Sequence, residues 1–154
     1  MKTISTGSAA PDFTLPDETG TSRRLSDFLA AGPVVLFFYP GAMTSGCTAE
    51  SCHFRDLAAE FGAVGAQRIG ISADTVAKQK EFSDTHSFDY PLLSDPDGEV
   101  ATAYGVKRKF LTPVKRATFV IGTDGKIAEV ITSEMNMTVH ADQALKALQG
   151  APTS

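Results

Sequence analysis

The sequence predicts an α/β fold, a central mixed β-sheet with helices on both faces. Three observations carry this. Apolar, β-rich runs alternate with amphipathic segments along most of the 154-residue chain. Two further β-runs flank an Asp124-Gly125 turn. A last amphipathic segment follows them. Strand–helix–strand units give parallel neighbours, a tight Asp-Gly turn gives antiparallel ones, and the helices must cover the sheet's apolar faces.

Each element has a local reason. Residues 12–15 (DFTL) alternate briefly, and PDETG then TSRRLSDF continue as a hairpin or a small N-terminal extension. Residues 33–39 (PVVLFFY) form a continuous apolar run, as a strand buried on both faces requires. Residues 46–61 read as a helix with Phe54, Leu57, Ala58 and Phe61 on one stripe, ended by Gly62. Residues 66–72 are a second strand, and 74–86 a helix capped by Asp74 or Thr75. FDYPLLSD is a short strand entering a turn, and residues 98–104 a short helix. RATFVIG and KIAEVIT make the hairpin. VHADQALKALQG closes the chain as a helix, with Gly150 just past its end and 152–154 as a frayed tail. With no repeat or linker, residues 1–154 are expected to form one domain. This order is compatible with a thioredoxin-like architecture and with other α/β sandwiches.

Composition excludes several function classes. Fourteen Lys and Arg against eighteen Asp and Glu give a net charge of −4, so no large positive field exists for nucleic acid or an anionic membrane. The basic cluster at 107–109, followed by Lys115 and Arg116, is short and reads equally well as a solvated loop. The N-terminus lacks a signal-peptide core, and no window has the apolar length of a membrane span. A cytoplasmic location is expected, where a cysteine pair is more often catalytic or metal-binding than structural. Cys47, Cys52 and His53 are a thin ligand set, and His86 and His140 show no metal-site spacing, so neither metal nor cofactor is expected.

The chain has two cysteines, Cys47 and Cys52, five positions apart and directly after a predicted buried strand. On a helix begun near Gly46, the stripe residues lie within roughly 80° of Cys47, whereas Cys52 lies about 140° around. Their Cα atoms would be about 8 to 9 Å apart. A disulfide needs less than about 7 Å with converging Cβ vectors, so the pair can bond only if the first turns unwind. At the first turn Cys47 faces unpaired N–H groups and the positive end of the helix dipole, which favours thiolate over thiol. An inert buried thiol fits the same position.

Pro40, Thr44 and Cys47 form P-x3-T-x2-C, which resembles the peroxiredoxin active-site motif. The longer run FFYPGAMTSGCTAESCHFRD resembles the Q-type, or bacterioferritin comigratory protein, subfamily. APDFTLPDETG, YPLLSDPDGEVATAYGV and RATFVIGTDGKI are similar to that family in its usual order. The resemblance implies a thioredoxin-like fold with a short N-terminal β extension and a thiol peroxidase activity on hydrogen peroxide and organic hydroperoxides. Cys47 matches the peroxidatic cysteine and Cys52 the resolving one. Thr44 would bond the thiolate and the incoming oxygen, and Pro40 would shield the site. Arg116 would stabilise the thiolate, and Glu50, on the first helical turn, would orient Arg116 by a bidentate pair. Other readings are an N-cap for Thr44, a surface arginine, a dipole-complementing Glu50 and a bystander Cys52. Ser45 stands where a proline is frequent, Met43 sits beside the pocket, and His53 either assists Cys52 or is a solvated helix histidine.

The implied partners are a peroxide and thioredoxin or a similar dithiol reductant, with the chain a monomer. A thioredoxin-like disulfide reductase or isomerase is a second class; C-x4-C counts against it, and Pro113 is its candidate cis-proline. A non-catalytic chaperone or redox-signalling protein is a third.

Overall fold

The computed structural model describes residues 3–108, 114–133 and 136–150. From the N-terminus, β1 (Thr14–Pro16) and β2 (Ser22–Arg24) pair antiparallel as a separate hairpin, and α1 (Leu25–Ala31) follows. The apolar run then forms β3 (Val34–Phe38), buried at every position. Helices α2 (Ser45–Asp56) and α3 (Ala58–Ala63) lead to β4 (Gln67–Ser72), and α4 (Val76–His86) leads to β5 (Leu92–Ser94). After α5 (Glu99–Ala103) come β6 (Ala117–Ile121), β7 (Ile127–Thr132) and α6 (Val139–Gly150).

β3 takes the centre of a five-stranded sheet ordered β5-β4-β3-β6-β7. It runs parallel to β4, with Leu36 opposite Ile69, and antiparallel to β6, with Leu36 opposite Phe119. Strand pleating sends its alternate side chains to opposite faces. Val34, Leu36 and Phe38 join Leu25 and Phe28 of α1, Val100 of α5 and Tyr104 just beyond it. Val35, Phe37 and Tyr39 join Phe54 of α2, Phe61 of α3, Phe82 of α4 and Ala144 of α6. This is a thioredoxin-like fold. Phe37 stacks on Phe54 at 4.1 Å between centroids, which fixes α2 over the sheet. Burying each such ring contributes about 2 to 3 kcal/mol. Gly70 makes room for the stack: a Cβ there would stand 2.8 Å from Leu92 and 3.0 Å from Phe37.

Four local expectations are corrected. Residues 46–61 are not one helix: Leu57 leaves helical geometry (ψ 20°), and α3 starts afresh. Arg68 donates from Nη1 to the Phe54 carbonyl at 2.9 Å, taking the acceptor that the Ala58 N–H would need in a continuous helix. The segment after the first turn contains α1 as well as the hairpin, since seven residues with only Leu25 and Phe28 buried give too little periodicity to read. Thr75 alone caps α4, accepting from the Lys78 N–H, while Asp74 points elsewhere. Gly150 is the last residue of α6 rather than the first beyond it.

Candidate active site

The sheet delivers the chain to the site. β3 ends at Phe38, and Tyr39 and Pro40 lead into a turn at Ala42 and Met43 before α2 begins at Ser45. Pro40 is half-buried. Met43 adopts φ +67°, left-handed for a residue with a Cβ, which costs on the order of 1 kcal/mol. Thr44 occupies the N-cap position without capping: its hydroxyl donates to the Gly41 carbonyl at 2.8 Å. It makes no hydrogen bond to Cys47 in this geometry.

Cys47 lies in the first turn of α2, fully buried on the sheet side with Phe54 and Phe61. Arg116 reaches it from the sheet, immediately before β6, whose Ala117 pairs with Phe38. Its fork is divided. Nη2 donates to Cys47 Sγ at 3.3 Å, and Nη1 donates to Glu50 Oε1 at 2.9 Å. The bidentate Arg116–Glu50 pair expected from sequence is therefore a single hydrogen bond, because the sulfur takes the second arm. Glu50 also stands in the second turn of α2, three residues after Cys47, so both side chains leave the same face. Gly46 permits the approach: a Cβ there would meet Arg116 Nη2 at 3.3 Å and the Met137 methyl at 3.3 Å.

Electrostatics at this cluster are those of a buried site. Burial pushes the Glu50 carboxyl up to about 8, with Arg116 pulling in the opposite sense. Burial lowers Arg116, but Glu50 and Cys47 outweigh it and raise the guanidinium overall. The cation is thus the fixed charge. Glu50 Oε2 has no hydrogen bond, and His140 Nε2 stands 3.6 Å away. That histidine is itself buried, with Nε2 2.8 Å from the Ser133 carbonyl and Nδ1 2.8 Å from Thr118 Oγ1.

Cys52 leaves α2 on another side and is half-buried; both cysteines are free thiols. Burial raises its thiol, with Arg55 opposing. The stretch around it is anchored from four directions. Tyr90 donates its hydroxyl to the Ser51 carbonyl at 2.7 Å, and Arg68 holds the Phe54 carbonyl. Arg55 donates to the His86 carbonyl at 2.7 Å, and His53 meets Asp142 of α6 at 2.8 Å. His53 is therefore bonded to α6 rather than simply solvated.

The structure gathers Cys47, Glu50 and Arg116 into direct contact and sets Thr44 and Pro40 on the loop leading to them. Cys52 stands apart from the cluster. The basic cluster dissolves into separate contacts: Lys107 bonds the Asp97 carbonyl, Lys115 bonds Thr3, and Arg116 is buried. Lys109 and Pro113 lie outside the described residues. Sequence reasoning missed His140, Thr118 and Asp74 as parts of the polar interior. For His140 a signal existed, since it shares the buried stripe of α6 with Ala144, one turn on. Among the described residues no group of three His, Cys, Asp or Glu side chains could hold a metal, and no helix is long and apolar enough to cross a membrane.

A thioredoxin-like sheet presenting a cysteine at the leading end of a helix defines the class for comparison, the thiol-dependent oxidoreductases of that fold. Residues 6–130 match the AhpC/TSA family. The crystal structure of peroxidoxin BcpB from Mycobacterium tuberculosis superimposes with a TM-score of 0.93 at 59% identity, covering 96% of this chain and 98% of that one. Peroxiredoxin Q of Xanthomonas campestris gives a TM-score of 0.82 at 31% identity, covering 89% of each chain. Chloroplastic peroxiredoxin Q of Oryza sativa subsp. japonica is 40% identical over 147 residues, 95% of this chain and 67% of its own length. The chain belongs to the AhpC/TSA family, among peroxiredoxins of the Q, or bacterioferritin comigratory, type. That membership supports a thiol peroxidase, with a peroxide as substrate and a reductant as partner.

Proposed function

We propose that the chain reduces hydrogen peroxide and organic hydroperoxides with two cysteines in sequence. The Cys47 thiolate attacks one peroxide oxygen. A sulfur–oxygen bond forms, the oxygen–oxygen bond breaks, and the leaving oxygen takes a proton to depart as water or an alcohol. Arg116 stabilises the sulfur and the departing charge, since a guanidinium keeps its proton. Glu50 holds the other arm of that guanidinium. Thr44 exchanges its Gly41 bond for one to the incoming peroxide, and Pro40 keeps bulk water from the sulfur. The observation that carries this reading is the divided fork of Arg116, one arm on Cys47 and one on Glu50.

The Cys52 thiolate then attacks the sulfenic sulfur; the sulfur–sulfur bond forms, the sulfur–oxygen bond breaks, and the leaving hydroxide takes a proton to depart as water. That step requires α2 to open. The four anchors at residues 51–55 resist opening, and the orphaned Glu50 Oε2 and Ser51 Oγ favour it. A buried polar atom without a partner costs about 1 to 3 kcal/mol, which unwinding returns by exposing it to water. A thioredoxin-type dithiol in the cytoplasm reduces the disulfide, and the chain acts as a monomer.

The test is peroxide consumption with and without thioredoxin and its reductase. Cys47→Ser is expected to abolish turnover. Cys52→Ser is expected to leave one fast round of reduction and to stall recycling. Substantial turnover by Cys47→Ser would remove Cys47 from the chemistry, and unchanged cycling by Cys52→Ser would remove Cys52 from resolution.

A further inference from the structure

We infer that Asp74, remote in sequence from the active-site motif, is a positioning residue for the loop that receives the peroxide. The inference rests on the peroxidase reading above and adds a residue that the reaction chemistry does not call for.

The loop at residues 40–44 has little to hold its shape. It lies outside every strand and helix, and Met43 is in a left-handed conformation. A loop carrying such strain stays in place only when its surroundings over-determine it. Inside the loop the Thr44 hydroxyl closes onto the Gly41 carbonyl. From outside, Asp74 Oδ2 accepts the Ala42 N–H at 2.7 Å.

Asp74 is itself held by a polar network beneath the loop. Its Oδ2 also accepts the Ser72 hydroxyl at 2.6 Å, and its carbonyl accepts the Ser94 hydroxyl. Ser72 Oγ accepts from Gln79 Nε2 at 3.0 Å, and the same amide donates to the Leu93 carbonyl at 2.7 Å. Tyr39, the residue before Pro40, closes the circuit by donating its hydroxyl to Gln79 Oε1. Ser72, Gln79, Ser94 and Tyr39 are all buried. A fully satisfied buried network is rigid. Through Tyr39 and Asp74 this one grips the loop on both sides of Pro40 and Gly41, and fixes where Thr44 stands relative to Cys47.

The arrangement separates two tasks. Arg116 approaches Cys47 from β6 and does not depend on Asp74. Peroxide alignment depends on the loop, where a displacement of about 1 Å costs on the order of 100-fold in rate. Loss of the Asp74 bond should therefore impair attack on peroxide while sparing attack by the same sulfur on an electrophile that needs no loop.

The experiment compares two second-order rates for Cys47 in the reduced full chain, one with hydrogen peroxide and one with iodoacetamide. Cys52→Ser is the background, so that Cys47 is the single thiol that reacts and each rate is that of one round. Asp74→Ala is expected to lower the peroxide rate at least tenfold and to change the iodoacetamide rate less than threefold. Asp74→Asn, which keeps an oxygen for the Ala42 N–H, is expected to recover most of the loss. Ser72→Ala is expected to give a smaller selective loss, and it decides the matter if Asp74→Ala does not fold. A peroxide rate within twofold of the background, an equal fall in both rates, or no recovery in Asp74→Asn overturns the inference. Lack of peroxide reactivity in the Cys52→Ser background itself overturns the peroxidase reading instead.

Discussion

Arg116→Lys tests the centre of the site, because it keeps the charge and removes the fork. The guanidinium bonds Cys47 at 3.3 Å and Glu50 at 2.9 Å with two nitrogens held in one plane. An ammonium is a single point and cannot lie at both distances along both directions. It is expected to keep the shorter contact, to Glu50 Oε1, and to leave the sulfur. The sulfur then loses a hydrogen bond to a charged donor, which contributes about 1.5 to 3 kcal/mol. At 1.36 kcal/mol per decade that is roughly 10- to 100-fold in the rate of peroxide reduction. The chain contains no tryptophan, so the reaction lacks that intrinsic reporter. Competition for peroxide against a haem peroxidase of known rate measures it directly. An Arg116→Lys rate within threefold of the parent would refute the claim that the divided fork activates the sulfur.

Two further perturbations address the rest of the cluster. Glu50 holds its proton up to about pH 8 when folded, against an ordinary value of 4.5. Between those values the folded chain binds more protons than the unfolded one, so this group's contribution to stability falls as pH rises, by a few kcal/mol in all. Glu50→Gln removes the titration, and its stability relative to the parent should rise between pH 5 and pH 8 in urea unfolding of the reduced chain; a constant difference would contradict the assigned burial. Tyr90→Phe frees the Ser51 carbonyl from its 2.7 Å anchor while keeping the ring. Losing about 1 kcal/mol of hold on α2 should speed Cys47–Cys52 disulfide formation about fivefold. An unchanged rate, read by rapid quenching and thiol counting, would mean that opening of α2 does not break this bond.

The elements that sequence made legible are those whose residues answer to their own period. The apolar, β-rich run 33–39 suits a doubly buried strand, and β3 is buried throughout. The Asp124-Gly125 turn sets the β6–β7 hairpin, with Gly125 at φ +79°. The break at Leu57 was not legible, because its cause is Arg68, a partner from the next strand that takes a helix carbonyl. Likewise Glu50 was readable as a companion of Cys47 from its spacing, but not the division of the guanidinium, which depends on how close Gly46 lets Arg116 come.

By itself the sequence determined that Cys47 would stand at the leading end of a helix laid on a buried strand, with Cys52 turned away from it. Helical pitch and strand pleat are local, and they fix those directions without reference to the rest of the chain. Only the tertiary structure decided which charges reach the sulfur and what holds the loop before it. Arg116 lies 69 residues from Cys47 along the chain, and Asp74 lies 32 from Ala42. Contacts over such separations are made by sheet pairing and burial, which no local pattern records.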